Sequence, residues 1–267
     1  MSIKVKVGRV IWHDLLTQNV TKARHFYADL LSWKYQIEHA SNFVWKPGEA
    51  EYPLILANGD AHGGFVDPGQ SIPSRWIAYV MVKDVDAITA RAKSLGATIV
   101  QEPFDTPGVG RSSVIQDLQG AVICPTFPTH NFPAPSGTFL WDELITDDVE
   151  SAKLFYRDLF GWRCHDIDVN SDCVSYAVLK STDNTDAVGF TNQSFGAVGL
   201  AVWIPYLATD DVDATIANAK ALGAGVCEEE TYMPNGERKA VLSDSTGAIF
   251  GLLASSKFRI NELSTRA

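Results

Sequence analysis

Residues 12–33 read WHDLLTQNVTKARHFYADLLSW, and residues 141–162 read WDELITDDVESAKLFYRDLFGW. Trp12/Trp141, Phe26/Phe155, Tyr27/Tyr156, Asp29/Asp158, Leu30/Leu159 and Trp33/Trp162 all stand 129 positions apart. Farther along the echo resumes at a separation of 127, linking Trp76/Trp203, Tyr79/Tyr206, Asp84/Asp211, Val85/Val212, Asp86/Asp213, Gly96/Gly223, Arg111/Arg238, Asp117/Asp244 and Gly120/Gly247. So small a change in separation is one short net deletion in a loop. The chain is therefore two copies of one unit, and a duplicated unit is what any function must explain.

Within each copy the pattern alternates between strand and helix. Arg9–Thr17 reads as a strand, followed by a helix over Asn19–Leu31, with Asn19 in the N-cap position and Val20, Ala23, Phe26, Tyr27, Leu30 and Leu31 on one face. Trp76–Val82 leads in the same way into a helix over Asp84–Leu95, closed by Gly96. The second copy repeats this as Thr138–Ile145 then Asp147–Phe160, and Val202–Ala208 then Asp210–Leu222. Short apolar runs follow each helix (Asn42–Trp45, Pro53–Ala57, Thr98–Gln101, Ser113–Asp117, Ala121–Cys124) and read as antiparallel strands. The expected fold class is α+β: two tandem domains, each a pair of βαβββ units forming a cupped, mostly antiparallel sheet with helices on the outer face. The expected boundaries are 1–126 for the first domain, 127–137 for a Pro-rich linker (from PTFPTHNFPAPSG), 138–256 for the second domain and 257–267 for a C-terminal tail.

The bulk numbers narrow the function. Hydrophobic residues form 46% of the 267 and charged residues 20%, enough for a buried core in each half. A net charge of −10 with no basic stripe argues against nucleic acid as a partner. No run of apolar residues is long enough to span a membrane, and MSIKVKVGRV holds no apolar stretch of signal-peptide length, so a cytoplasmic location is expected. Cys124, Cys164, Cys173 and Cys227 have neither CxxC spacing nor matched places in the repeat, and read as free thiols.

Three linked motifs occur in both halves. NVTKARHFYADLLSW matches DDVESAKLFYRDLFGW, WIAYVMVKDVDAITARAKSLGA matches WIPYLATDDVDATIANAKALGA, and DLQGAVI matches DSTGAIF. Together they resemble the vicinal oxygen chelate superfamily of glyoxalases, bleomycin-resistance proteins and extradiol dioxygenases, and within it a tandem glyoxalase-like or hydroxylase-like branch. The resemblance covers nearly the whole chain. In metal-dependent members it implies a His, Gln or Glu ligand from the first and the last strand of each unit. Carried over by position, these places fall on Trp12 and Trp141, near Ile77 and Ile204, and on Cys124 and Gly251. Only Cys124 among them is a usual metal ligand, and one thiolate makes no site. No metal and no other cofactor is therefore expected, with a divalent metal as the alternative.

Asp14 and Glu143 sit two residues past Trp12 and Trp141, so alternation puts each carboxyl on the same face as an indole. They are candidate acid–base groups in a partly apolar pocket, or else carboxylates satisfied by backbone or by an arginine. Trp12, Trp141, Tyr79 and Tyr206 are candidate ligand-binding walls, with core packing as the other reading. Arg111 and Arg238 follow the turns DTPGVGR and YMPNGER and are candidate anion clamps at the mouth of a cup, or plain hairpin arginines. His13 alternates to the opposite face and has no histidine counterpart in the repeat, where Asp142 stands, so it enters a metal site only through a one-residue slip. Gly63, Gly64 and Gly189 are expected where backbone approaches closely or a strand bulges. The favoured function is binding of a small aromatic or apolar molecule in a metal-free cup. The alternatives are a metal-dependent glyoxalase-like lyase or extradiol-type dioxygenase, and a metal-free acid–base enzyme using Asp14 or Glu143. Partners are a small-molecule ligand, neither nucleic acid nor membrane, in a monomer or homodimer.

Overall fold

The period-two and helical runs of the sequence fold as two eight-stranded sheets and four helices. The computed structural model describes residues 7–43, 45–57, 60–129, 138–167, 176–181, 186–192, 201–233 and 236–254. The first sheet is built from β1 (Val10–Leu16), β2 (Lys34–Phe43), β3 (Lys46–Ala57), β4 (Asp60–Val66), β5 (Arg75–Met81), β6 (Thr98–Thr106), β7 (Gly110–Gln116) and β8 (Val122–Pro128), with α1 (Val20–Leu31) and α2 (Val85–Ser94) between strands. The second comprises β9 (Phe139–Ile145), β10 (Arg163–Ile167), β11 (Tyr176–Lys180), β12 (Asp186–Thr191), β13 (Val202–Thr209), β14 (Gly225–Tyr232), β15 (Arg238–Ser243) and β16 (Ile249–Ala254), with α3 (Val149–Phe160) and α4 (Val212–Ala221).

Strand order in the first sheet is β2-β3-β4-β1-β5-β8-β7-β6, and the second sheet repeats it. In each, two βαβββ units join through their antiparallel first strands, β1 to β5 and β9 to β13. The last strand of each unit lies parallel to its own first strand, as β4 beside β1 and β8 beside β5. The expected α+β architecture of tandem cupped sheets is the one observed.

The helices cover one face of each sheet, and those two faces pack against each other. Leu15, Tyr27, Trp33, Phe65 and Trp76 of the first half share a buried cluster with Phe139, Val212, Ile216, Phe250 and Leu252 of the second. Val80, Val85, Ile115 and Ile123 share another with Leu144, Phe155, Tyr156, Trp162 and Trp203. The opposite faces form the two cups, which are therefore set back to back.

Matched residues weld this seam. Tyr27 donates to Asp244 Oδ2 at 3.1 Å and accepts from Trp76 Nε1 at 3.1 Å. In the mirror arrangement Tyr156 donates to Asp117 Oδ2 at 2.9 Å and accepts from Trp203 Nε1 at 3.0 Å. Both aspartates are held above their ordinary carboxyl values, chiefly by burial. At the centre His13 Nε2 meets Asp142 Oδ1 at 2.8 Å, and the imidazole stacks on Phe139 with centroids 4.1 Å apart. His13 thus lies on the face opposite the cup, in the register that alternation gives, and its partner is the residue that occupies its own place in the repeat.

Local readings needed three corrections. Asn42–Trp45 is not a strand of its own. The β2–β3 hairpin continues to the Phe43–Lys46 pair, and the run spans the end of β2 and the turn, with Val44 outside the described residues. Asn19 makes no side-chain cap. Its backbone N–H instead donates to Thr17 Oγ1 at 3.1 Å, whereas Asp148 caps the matching helix through Ser151 N. The segment proposed as linker begins inside β8, which runs to Pro128, while residues 130–137 and the tail 257–267 lie outside the described residues.

Candidate functional site

Alternation along β1 and β5 turns Trp12, Asp14 and Tyr79 into the first cup, and β3 brings Tyr52 and Leu54 to the same place. Tyr52 reaches Asp14 because Gly64 leaves room for it: a Cβ on Gly64 would lie 2.0 Å from the Tyr52 ring. The Tyr52 hydroxyl donates to Asp14 Oδ1 at 2.6 Å and the Tyr79 hydroxyl to Asp14 Oδ2 at 2.6 Å. Trp12 Nε1 lies 2.9 Å from the Tyr52 hydroxyl and 3.2 Å from Asp14 Oδ1. Trp45 Nε1 donates to the Tyr79 hydroxyl at 2.6 Å. One indole and two phenols therefore converge on one buried carboxyl, and a second indole, Trp45, bonds one of those phenols.

Above this floor is a cavity of about 340 Å³. Apolar side chains of Ile11, Leu54 and Val109 form part of its wall, and Thr106, Ser112 and Thr126 contribute short polar side chains. Ser112 and Thr126 hydroxyls are 2.8 Å apart. Glu38 and His39 stand at the same opening. Burial raises the Asp14 carboxyl above its usual range, against the opposing pull of hydrogen bonds from Tyr52, Tyr79 and Trp12. Burial, reinforced by Asp14, pushes both the Tyr52 and the Tyr79 phenol well up, so each keeps its proton.

The second cup has the same frame and a different interior. Trp141, Glu143 and Tyr206 take the places of Trp12, Asp14 and Tyr79, and the Tyr206 hydroxyl donates to Glu143 Oε2 at 2.6 Å. The three short polar residues of the first cup become long ones at a separation of 127: Thr106 is Met233, Ser112 is Lys239 and Thr126 is Leu253. Trp141, Tyr206, Met233, Val241 and Leu253 pack into one buried cluster. Lys239 and Glu143 are 1% and 0% exposed, with Nζ 2.9 Å from Oε2 and 5.2 Å from the centroid of the Tyr206 ring. These side chains pack over the floor of the second cup among the described residues.

The structure brings Trp12, Asp14 and Tyr79 together, and their counterparts Trp141, Glu143 and Tyr206 together. It does not bring Arg111 or Arg238 to either. In β7 and β15 the next residue faces the cup, so Arg111 points away and clamps Asp86 at 2.7 and 2.8 Å and Asp105 at 2.7 Å, while Arg238 pairs with Asp213. Sequence reasoning missed Tyr52, Trp45 and Lys239. The signal for Lys239 was available in the mismatch with Ser112, one position beyond a matched arginine.

A divalent metal does not fit this donor set. Indole nitrogens offer no lone pair and the phenols hold their protons, so Asp14 is a single carboxylate where a divalent metal needs several ligands. Cys124, which pairs with Tyr79 across β5 and β8, is wholly buried, and burial pushes its thiol well up. Among the described residues no group of three or more His, Cys, Asp or Glu is placed to hold a metal ion.

The cupped tandem βαβββ frame defines the class: the chain belongs to the glyoxalase/bleomycin resistance protein/dioxygenase superfamily, whose family model matches residues 138–252. Among its relatives is "putative glyoxylase CFP32" of Mycobacterium tuberculosis, 32% identical over 254 residues, covering 92% of this chain and 94% of the relative. The "anthracycline biosynthesis protein DauV" of Streptomyces sp. is 27% identical over 267 residues, covering 92% and 93%. Solved structures share the fold at low identity. They include a Mn(II)-bound glyoxalase from Novosphingobium aromaticivorans (TM-score 0.59, 14% identity, 94% of this chain and 83% of that one). Another is 2,2',3-trihydroxybiphenyl 1,2-dioxygenase from Sphingomonas wittichii (TM-score 0.63, 13% identity, 93% and 90%). No helix among the described residues is long and apolar enough to cross a membrane.

Proposed function

We propose that this chain binds one small, flat, largely apolar molecule in its first cup, without a metal. The observation that carries this reading is the contrast between the two floors of one frame: a cavity stands over Asp14, whereas a lysine is buried against Glu143. A cavity of about 340 Å³ is at the lower end of the range for sites that enclose a small organic molecule. Trp12 and Trp45 supply flat apolar faces, while the hydroxyls at the floor and on β7 and β8 supply orientation. Relatives named for anthracycline biosynthesis are compatible with a flat ring system as ligand.

Titration with a panel of one- to three-ring aromatic compounds, followed by quenching of tryptophan fluorescence, tests this. Saturation at one molecule per chain, unchanged by EDTA and lost in Trp12→Ala with little change in melting, is the expected result. Two molecules per chain, or loss of binding on chelation, would overturn it.

A further inference from the structure

We infer that the ligand of the first cup carries an organic ammonium group, a class of ligand that rests on the small-molecule reading above. The second cup shows the chemistry its frame accepts. There the carboxylate oxygen that accepts the tyrosine hydroxyl at 2.6 Å also accepts an ammonium at 2.9 Å, and that ammonium sits over the tyrosine ring. The first cup repeats the carboxylate and the tyrosine with the same 2.6 Å bond, from Tyr79 to Asp14 Oδ2, and has Ser112 where the lysine stood. Lys239 is thus a tethered stand-in for the ligand of the other cup.

The first cup retains what a cation needs. A carboxylate has about four lone-pair positions. Oδ1 of Asp14 accepts from Tyr52 and Trp12, whereas Oδ2 accepts from Tyr79 alone, which leaves a position on the oxygen equivalent to the one Lys239 occupies. Trp12, Trp45, Tyr52 and Tyr79 line the same cavity, and an ammonium over an aromatic face is attracted by its quadrupole. Glu38 adds a second acidic group at the opening, and the net charge of −10 favours approach of a cation. Among the described residues no lysine or arginine lines the cavity, and the one imidazole there, His39, stands at the opening beside Glu38. The same features disfavour a small divalent ion, which requires several oxygen or imidazole lone pairs, and suit a single N–H directed at one oxygen.

The test is calorimetric titration of the full chain with 2-phenylethylamine and with 2-phenylethanol, which share ring and linker and differ in the ammonium. The amine is expected to bind about tenfold tighter or better, the ratio that a desolvated cation over aromatic faces supplies. Asp14→Asn is expected to erase that preference, the amine then binding no tighter than the alcohol. Ser112→Lys is expected to supply the cation internally and abolish binding of both. An alcohol that binds as tightly as the amine in the native chain would overturn the ammonium inference and leave the cup reading standing. Binding of neither compound up to millimolar concentration, or binding unchanged by Asp14→Asn and Ser112→Lys, would overturn both.

Discussion

Replacing Lys239 by Met should destabilise the second domain more than any surface substitution in the chain. The lysine and Glu143 are 1% and 0% exposed, so truncating one charge strands the other in the interior. Breaking a buried pair in this way costs about 3–5 kcal/mol. At roughly 2–4 °C per kcal/mol for a chain of this size, the melting point should fall by about 6–20 °C. Methionine fills nearly the same volume, so the loss reports charge rather than a cavity. The double substitution Lys239→Met with Glu143→Gln removes both charges and leaves an amide oxygen to accept from Tyr206. It should recover most of the loss and finish within about 2 kcal/mol of the parent, since an uncharged replacement for a buried pair is often neutral or better. Urea unfolding followed by far-UV circular dichroism on the parent, both single variants and the double variant gives the cycle. A loss below about 1 kcal/mol in the lysine variant, or a double variant no more stable than the single ones, would refute the assignment of Lys239 and Glu143 as a buried ion pair.

Other outcomes follow from the same contacts. Tyr27→Phe and Tyr156→Phe each remove a donor to a buried aspartate and an acceptor for an indole, and each should cost about 1–3 kcal/mol in urea unfolding, adding within about 0.5 kcal/mol when combined because they share no partner. Asp14 is held above its unfolded value by burial, so the folded state binds its proton more tightly. Its contribution to stability is full below about pH 4 and is lost as pH rises through the folded value. The stability difference between the parent and Asp14→Asn should accordingly fall with rising pH, and a flat difference from pH 4 to 9 would sink the argument. Gly64→Ala should displace Tyr52, whose ring would lie 2.0 Å from the new Cβ, and remove ligand binding while the sheet persists by circular dichroism.

Much of the fold was legible because the repeat is written in residues whose role is local. The Phe-Tyr pair, the helix-capping aspartates and the turn glycines recur at constant spacing, and the first strand and the helix of each unit end within a residue or two of where the pattern places them, whereas the strands after the helices run longer than their apolar cores, as β3 and β6 do. The carboxyl on the cup face was legible for the same reason, since period two fixes the face of Asp14 once β1 is fixed. Tyr52 was not, because it lies outside the echo and reaches the site only through the pairing of β3 with β4 over Gly64. Arg111 and Arg238 misled because constancy between halves was read as a site. The constant partners were in fact Asp86 and Asp213 on the helices, an ion pair that both copies of the unit make. What distinguishes the cups is written in the positions that differ, Thr106/Met233, Ser112/Lys239 and Thr126/Leu253.

The contact between His13 and Asp142 bears on how a duplicated chain keeps its halves from choosing the wrong mate. These residues hold the same place in the two copies and meet each other at the centre of the seam. Two first halves joined in this way would set imidazole against imidazole, and two second halves would set carboxyl against carboxyl with no cation between them. Only the mixed pairing sets a carboxylate against an imidazole, the charge-assisted combination. A single divergence at one position thus converts a surface able to mate with itself into a lock that accepts its sibling, and the two halves, expressed as separate chains, should assemble with each other in preference to themselves.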